Sequence, residues 1–217
     1  MAVPGGFRSR SKLTRMDVRE LAVRDAYEFI PRTFPDHRGV FVAPYQEPAF
    51  VKTVGHRLTV AQTNTSTSRR GTVRGVHFKD TPPGQAKYVY CTNGALLDVV
   101  VDLRVGSPTF GRWDAVRLDR ETFRCVYLAE GLGHAFMALT DDTVMHYLCS
   151  TGYEPSVEHG ITPLDPELKL PWPSDIEPLL SDKDAEAPTL AEAREAGLLP
   201  SYDDCVTHYE SLRAAEA

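Results

Sequence analysis

The 217-residue sequence has no apolar run close to the roughly 20 residues that a membrane-spanning helix needs. Basic residues near the N-terminus are not followed by an apolar stretch, so the sequence predicts no secretory signal. Lysine and arginine number 24 and aspartate and glutamate 30, which gives a net charge of −6. Such a chain has no general attraction for nucleic acid, so a phosphate group would have to be held by a local cluster of cations.

Cysteine is scarce, and its spacing excludes the common paired motifs. The four cysteines, Cys91, Cys125, Cys149 and Cys205, lie far apart and form no C-x-x-C pair. Because Cys91 and Cys149 fall inside apolar, strand-like runs, we expect reduced core thiols rather than disulfides or zinc ligands. Together with the missing signal and membrane segment, this indicates a cytoplasmic protein.

Several catalytic motifs are also missing. The sequence contains no glycine-rich nucleotide loop, no serine nucleophile elbow and no setting typical of a cysteine nucleophile. Metal-binding small barrels use His-x-His followed by a glutamate and a later histidine. Here His77-Phe78-Lys79 lacks the second histidine and no glutamate follows closely, so we predict no catalytic metal.

What the sequence does contain is a series of short runs rich in Val, Tyr, Phe and Leu, bounded by Gly, Pro, Asp or Asn. No segment of 10–15 residues between them has helical periodicity, which argues against a parallel sheet with crossover helices. The sequence therefore predicts an all-β sandwich, jelly roll or barrel. The predicted strands are Tyr27–Pro31, Gly39–Ala43, His56–Gln62, Thr72–Phe78, Lys87–Cys91, Leu96–Leu103, Trp113–Leu118, Arg124–Leu128, His134–Leu139 and Thr143–Cys149.

The two ends of the chain differ from this middle region. Asp17–Ala26 is compatible with a short helix or a first strand, and the prolines between Asp165 and Pro188 predict an irregular strap. Thr189 and Glu192 form a capping-box pattern at the start of a C-terminal helix that Gly197 ends. We therefore expect one domain over residues 1–217, with a core at about 18–165 and a strap and helix at 166–217.

Polar side chains interrupt the predicted strands. Strand alternation places Arg74 and His77 on opposite faces, but Gly75 between them predicts a bulge that brings both to one pocket. Lys87 and Tyr147 lie on later strands. Each alone is more often a structural or surface residue, but together a base, an acid and two cations suit proton transfer beside a carbonyl. The residue types alone thus predict an all-β barrel with a ligand cavity.

Several longer motifs resemble the dTDP-4-dehydrorhamnose 3,5-epimerase family, over residues from about 18 to 199. This resemblance implies a cupin-type jelly roll that forms a homodimer, uses no metal or other cofactor and takes a dTDP-linked 4-keto-6-deoxy sugar as substrate. The motifs are V-A-Q-T-N-T-S (60–66), R-G-V-H-F (74–78), Q-A-K-Y-V (85–89), D-V-V-V-D-L-R-V-G-S-P-T-F-G-R-W (98–113), E-G-L-G-H-A-F (130–136) and L-D-P followed by W-P (164–173).

The resemblance also implies roles for individual residues. His77 matches the catalytic base, and Asp165 matches the carboxylate that hydrogen-bonds and orients it. Tyr147 matches the general acid on the opposite face of the sugar. Lys87 is expected to stabilise the enolate oxygen, with His134 nearby.

Substrate binding is implied for a second set of residues. Arg38, Gln62, Asn64 and Arg74 match positions that contact the nucleotide diphosphate and the sugar, and Tyr153 matches an aromatic residue near the base.

Two departures from the common family pattern bear on which carbon is inverted. The chain reads G-H-A-F at 133–136 where A-H-G-F is common, and has Ala43 where an acidic residue is common. Both features are typical of the branch that serves antibiotic deoxysugars, in which some members invert only C3 or only C5. We predict inversion of C3 alone, with C5 alone as the alternative, and we expect substitutions lining the pocket at 133–135 and 42–44 to set the selectivity. The other reading of these two departures is that they only repack the barrel. The alternatives are a full 3,5-epimerase, a metal-dependent cupin and a non-catalytic sugar-binding cupin.

Overall fold

The computed structural model describes residues 16–216, so the expectation about an N-terminal signal lies outside the described residues. The described chain forms mostly antiparallel strands with a few short helices. The strands are β1 Met16–Glu20, β2 Ala26–Pro31, β3 Thr33–Asp36, β4 Gly39–Val42, β5 Gln62–Ser68, β6 Val73–Lys79, β7 Lys87–Asn93, β8 Ala95–Asp102, β9 Trp113–Asp119, β10 Cys125–Leu128, β11 Leu132–Ala138, β12 Thr143–Cys149 and β13 Glu158–Gly160. The helices are α1 Glu47–Val54, α2 Asp182–Ala185, α3 Leu190–Glu195 and α4 Tyr202–Ala214.

Two antiparallel sheets form the body of the protein. One has the strand order β1-β2-β10-β7-β12-β5 and the other the order β13-β6-β11-β8-β9, while β3 and β4 form a separate hairpin. The largest buried apolar cluster draws side chains from both sheets, including Val89 and Met145 from the first and Val100 and Phe136 from the second. This arrangement confirms the predicted all-β jelly-roll fold.

Most predicted strands are present, because their apolar side chains fill this core. Asp17–Ala26, which the sequence predicted as either a short helix or a first strand, contains most of β1. The predicted strand His56–Gln62 is wrong: only Gln62 is in a strand, and β5 continues through Gln62–Ser68. This strand reads Q-T-N-T-S-T-S and forms an edge of its sheet, so its polar residues gave no apolar alternation to detect.

The helices were predicted only in part. The predicted helix after Thr189 is confirmed as α3, with the complete capping box between Thr189 and Glu192. Helix α1 was missed, although a proline lies in its first turn and Gly55, with φ of 95°, ends it. Helix α4, which follows the N-cap Ser201, was also missed.

The proline-rich strap and helix α3 cover the outer face of the five-stranded sheet. Leu168, Leu170 and Leu190 pack there against Val76 and Val99 from the sheet. The strap is mostly irregular, as predicted, but it contains the single-turn helix α2. All four cysteines are buried free thiols. Among residues 16–216 we find no helix that is both long enough and apolar enough to span a membrane.

Candidate active site

A cavity of about 390 Å³ opens between the two sheets and is lined mainly by polar side chains. It gathers residues from β5, β6, β7, β11 and β12, together with the α2 segment. Most of the predicted site residues line it: Gln62, Asn64, Arg74, His77, Lys87, His134, Tyr147 and Tyr153.

An irregularity in β6 brings Arg74 and His77 to the same cavity. On the neighbouring strand β11, His134 pairs with His77 and Phe136 pairs with Arg74, so β6 has one residue more than its partner between these two pairs. Gly75, with φ of 111°, lies in this extra stretch. The predicted bulge is therefore present. It places His77 on the same face of β6 as Arg74, whereas simple alternation would place the two residues on opposite faces.

His77 is hydrogen-bonded to a carboxylate, but the predicted partner is wrong. The Nε2 atom of His77 lies 2.7 Å from Oδ1 of Asp184, at α2. Asp184 is buried, and its pKa is lowered because hydrogen bonds from His77, Ser181 and the Gly75 amide outweigh the opposing effect of burial. His77 itself is about one-third exposed, which leaves part of its ring open to the cavity.

Asp165 has a structural role in the described chain. One of its carboxylate oxygens accepts hydrogen bonds from the backbone amides of Glu167 and Leu168, and the other accepts one from the amide of Leu190 at the start of α3. These acceptors are used within the strap and its helix, so Asp165 does not bind His77. The carboxylate instead holds the strap against α3.

Lys87 and His134 provide cationic or donor groups at the floor of the cavity. Burial of the Lys87 ammonium lowers its pKa, while the nearby Cys149, Glu158 and Asp98 oppose that effect. The Nε2 atom of His134 lies 2.7 Å from Oδ2 of Asp98, and both residues are almost fully buried. A histidine held in this way has a fixed ring orientation.

Tyr147 faces the cavity from β12, on the sheet opposite His77. Its ring lies edge-on to the His134 ring, with centroids 6.0 Å apart and an interplanar angle of 82°. Burial raises the pKa of the Tyr147 phenol, and the nearby Ser66 hydroxyl opposes this effect. The phenol is thus protonated at neutral pH and available as a proton donor.

The outer part of the cavity forms a connected polar rim. The Gln62 side chain accepts a hydrogen bond from the backbone amide of Tyr153 and donates one to Oδ1 of Asn64. The Nε atom of Arg74 donates to the Ser68 hydroxyl. The Tyr153 side chain is 62% exposed, so its ring is free to stack on a planar group.

The lining residues that were missed from the sequence include two carboxylates and an ammonium group, those of Glu158, Asp184 and Lys183. Lys183 and Asp184 belong to S-D-K-D-A at 181–185, where the Ser181 hydroxyl accepts a hydrogen bond from the Asp184 amide. This S-x-x-D pattern signals a helix start but does not indicate a partner 107 residues away. Lys183 adds a second cation to Arg74 at the cavity.

Arg38 does not line the cavity of its own chain. It lies in the turn between β3 and β4, where its guanidinium pairs with Asp36 at 2.6 Å. Within residues 16–216, no group of three or more His, Cys, Asp or Glu side chains is arranged to hold a metal ion.

Of the positions proposed to set the regiochemistry, 42–44 and 133–135, only His134 lines the cavity. A side chain at Gly133 would meet Leu103 and Val76, and Ala135 belongs to the apolar cluster under the strap. In β11, His134 and Phe136 line the cavity and the residues between and before them face the opposite side. Gly133 and Ala135 do not line the pocket, so the G-H-A-F departure changes packing behind the sheet, which was the second of the two readings.

Comparison with known proteins agrees with this geometry. The family model for dTDP-4-dehydrorhamnose 3,5-epimerase matches residues 20–192. A dTDP-4-dehydrorhamnose 3,5-epimerase of Mycolicibacterium smegmatis is 50% identical over 91% of this chain and 98% of its own length. A dTDP-4-dehydrorhamnose 3-epimerase of Streptomyces niveus is 53% identical over 88% of this chain and 91% of its own.

Solved structures show the same architecture. ChmJ, a 3'-monoepimerase from Streptomyces bikiniensis solved with dTDP-quinovose, aligns with a TM-score of 0.87 and 50% identity, covering 89% of this chain and 98% of its own. NovW, a 4-keto-6-deoxy sugar epimerase from the novobiocin cluster of Streptomyces spheroides, aligns with a TM-score of 0.86 and 52% identity, covering 88% and 96%.

Proposed function

The chain belongs to the dTDP-4-dehydrorhamnose 3,5-epimerase family, and we propose that it inverts C3 of a dTDP-4-keto-6-deoxyhexose through an enolate. It is a dTDP-sugar epimerase, and therefore an isomerase. The observation that carries the mechanism is that His77 and Tyr147 face one cavity from two different sheets. A base and an acid on opposite sides of a carbon are what an inversion requires.

The C4 ketone makes the proton on C3 removable. His77 takes this proton, and Asp184 orients the imidazole and stabilises the charge that it gains. The electron pair moves onto the C4 oxygen, where Lys87 and His134 supply positive charge or a hydrogen-bond donor. Tyr147 then donates its proton to C3 from the opposite face, which inverts the configuration.

The rim of the cavity suits the nucleotide end of the substrate. Arg74 and Lys183 give the local positive charge that a diphosphate needs in a chain with net charge −6. Gln62 and Asn64 offer amide groups to the sugar and diphosphate. Tyr153 offers an exposed ring on which the thymine can stack.

Inversion of C3 alone is supported by the relatives that are named as 3-epimerases, at 53% and 50% identity. A single His77–Tyr147 pair serves one carbon in a given sugar pose, so a second inversion requires the sugar to move. The second candidate is the full 3,5-epimerase, which is favoured by the 50% identical relative of that name. In either case we infer a role in deoxysugar synthesis for a natural product, as in the NovW cluster.

We further propose that the protein is a homodimer in which Arg38 reaches the cavity of the other copy. The β3–β4 hairpin stands apart from both main sheets and exposes Val40 and Phe41, the latter at 64%. An isolated two-stranded hairpin with exposed apolar side chains gains stability when a partner covers it. Light scattering should give a dimer mass, and Phe41→Ser should lower it together with substrate affinity.

Placement in the cytoplasm is part of the same proposal. It is supported by the four free thiols, because cysteines in oxidising compartments are usually paired.

The test of the reaction uses dTDP-4-keto-6-deoxyglucose in D₂O, with NMR of the product and of the label. Deuterium and inversion at C3 only support the proposal, and label at both carbons with dTDP-4-keto-L-rhamnose as product identifies the 3,5-epimerase. No deuterium at either carbon overturns the epimerase mechanism and favours a sugar-binding cupin. Loss of activity with EDTA favours a metal-dependent cupin instead.

A further inference from the structure

We propose that Ser66 is a positioning residue for Tyr147: its hydroxyl turns to the phenol oxygen and stabilises the phenolate that remains after proton donation. This inference rests on the proposed role of Tyr147 as the general acid.

The register of β5 against β12 places these two side chains on one face. Tyr147 pairs with Asn64 and Met145 pairs with Ser66, so Ser66 is the diagonal neighbour of Tyr147. Diagonal neighbours in an antiparallel pair are within reach of an aromatic side chain. Both Ser66 and Tyr147 line the cavity.

The Ser66 hydroxyl is an unused hydrogen-bonding group beside the phenol. Its Oγ atom is buried and makes no hydrogen bond of ordinary geometry to any group among the described residues. The phenol of Tyr147 lies close enough for the Ser66 hydroxyl to oppose the rise in its pKa that burial causes. Neighbouring hydroxyls on β5 are already engaged, since Thr65 contacts His146 and Ser68 accepts from Arg74.

The chemistry explains why a donor is needed at this point. When Tyr147 gives its proton to the enolate carbon, a new C–H bond forms and the O–H bond breaks, leaving a negative charge on the phenol oxygen. This oxygen is buried, and Asp98 adds a repulsive charge nearby. A hydroxyl that rotates to donate to the phenolate lowers the energy of the transfer. After product release, His77 loses its proton to solvent and Tyr147 regains one from solvent.

The test separates proton abstraction from proton donation. Wild type, Ser66→Ala, Ser66→Thr and Thr67→Ala are compared in D₂O for the rate of C3–H washout, the rate of inversion and KM. We expect Ser66→Ala to lower inversion by about tenfold while washout by His77 and KM change little, because one charge-assisted hydrogen bond is lost. Ser66→Thr, which keeps the hydroxyl, should restore most of the inversion rate.

Thr67→Ala is the matched control, because it removes a hydroxyl from the exposed next position of the same strand, outside the cavity. It should behave as wild type. Wild-type rates of both inversion and washout in Ser66→Ala overturn the inference. An equal fall in both rates also overturns it, because it indicates a general loss of site structure. Absence of washout and inversion in wild type is a different result, since it overturns the proposed function itself.

Discussion

The Nε2 atom of His77 and the Oδ1 atom of Asp184 lie 2.7 Å apart, although 107 residues separate them in the chain. The backbone amide of Gly75, in the bulge that turns His77 inward, also helps to lower the pKa of this carboxylate. The strap therefore does more than cover the sheet, because it delivers the group that orients the base.

Replacing each of the two candidate carboxylates by an amide distinguishes their roles. Asp184→Asn should lower kcat by about 10²-fold or more, with the fold retained, because the amide no longer stabilises a charged imidazole. Asp165→Asn should mainly lower thermal stability, by about 1–3 kcal/mol, because its acceptors serve backbone amides. Steady-state kinetics and thermal unfolding on both variants measure this, and the reverse pattern would restore Asp165 as the orienting residue.

Replacing the base should stop proton abstraction. We expect His77→Asn to reduce both C3–H washout and inversion by about 10²–10⁴-fold, with an unchanged circular dichroism spectrum. Turnover close to wild type in this variant would assign the base to another residue.

Two tyrosines at the cavity should respond differently to loss of the hydroxyl. Tyr147→Phe should block inversion while His77 still exchanges the C3 proton for deuterium, because only the donor is removed. Tyr153 lies at the exposed rim of the cavity, where the nucleotide is expected to bind, so Tyr153→Phe should mainly weaken substrate binding and raise KM without changing kcat. An unchanged inversion rate in Tyr147→Phe would mean that another group is the acid.

The hydrogen bonds to the Asp184 carboxylate predict a pH dependence of stability. The folded pKa of Asp184 lies below the ordinary value of 3.8, so its contribution is fully present above pH 3.8 and is lost as the pH falls through the folded pKa. The difference in unfolding free energy between wild type and Asp184→Asn should therefore shrink below pH 3.8. Urea titrations across this range measure it, and a difference that grows on acidification would contradict the assignment.

Closing the space at Gly75 should disable the site. An added Cβ would overlap the backbone of His134 and Ala135, at a φ of 111° that side chains rarely adopt. We expect Gly75→Ala to lose activity and thermal stability together. Gly39→Ala, also at positive φ but with open space around it, is the control and should cost stability at the hairpin alone.

The sequence by itself determined the strand-rich fold and most of the residues that line the cavity. Short apolar runs identify strands such as β8 and β12, because such a run is a local property of the sequence. The glycine between Arg74 and His77 likewise predicted the bulge. The polar strand β5 was missed because an edge strand needs no apolar face.

Tertiary structure alone decided which groups meet. Asp165 and Asp184 are both carboxylates in the strap, and nothing in their local sequence says which one approaches His77. The face on which Gly133 and Ala135 lie, behind the sheet, likewise follows from the register of β11 against β6 and β8. Local periodicity fixes the secondary structure, whereas contacts between residues about a hundred positions apart depend on how the strap packs against the sheet.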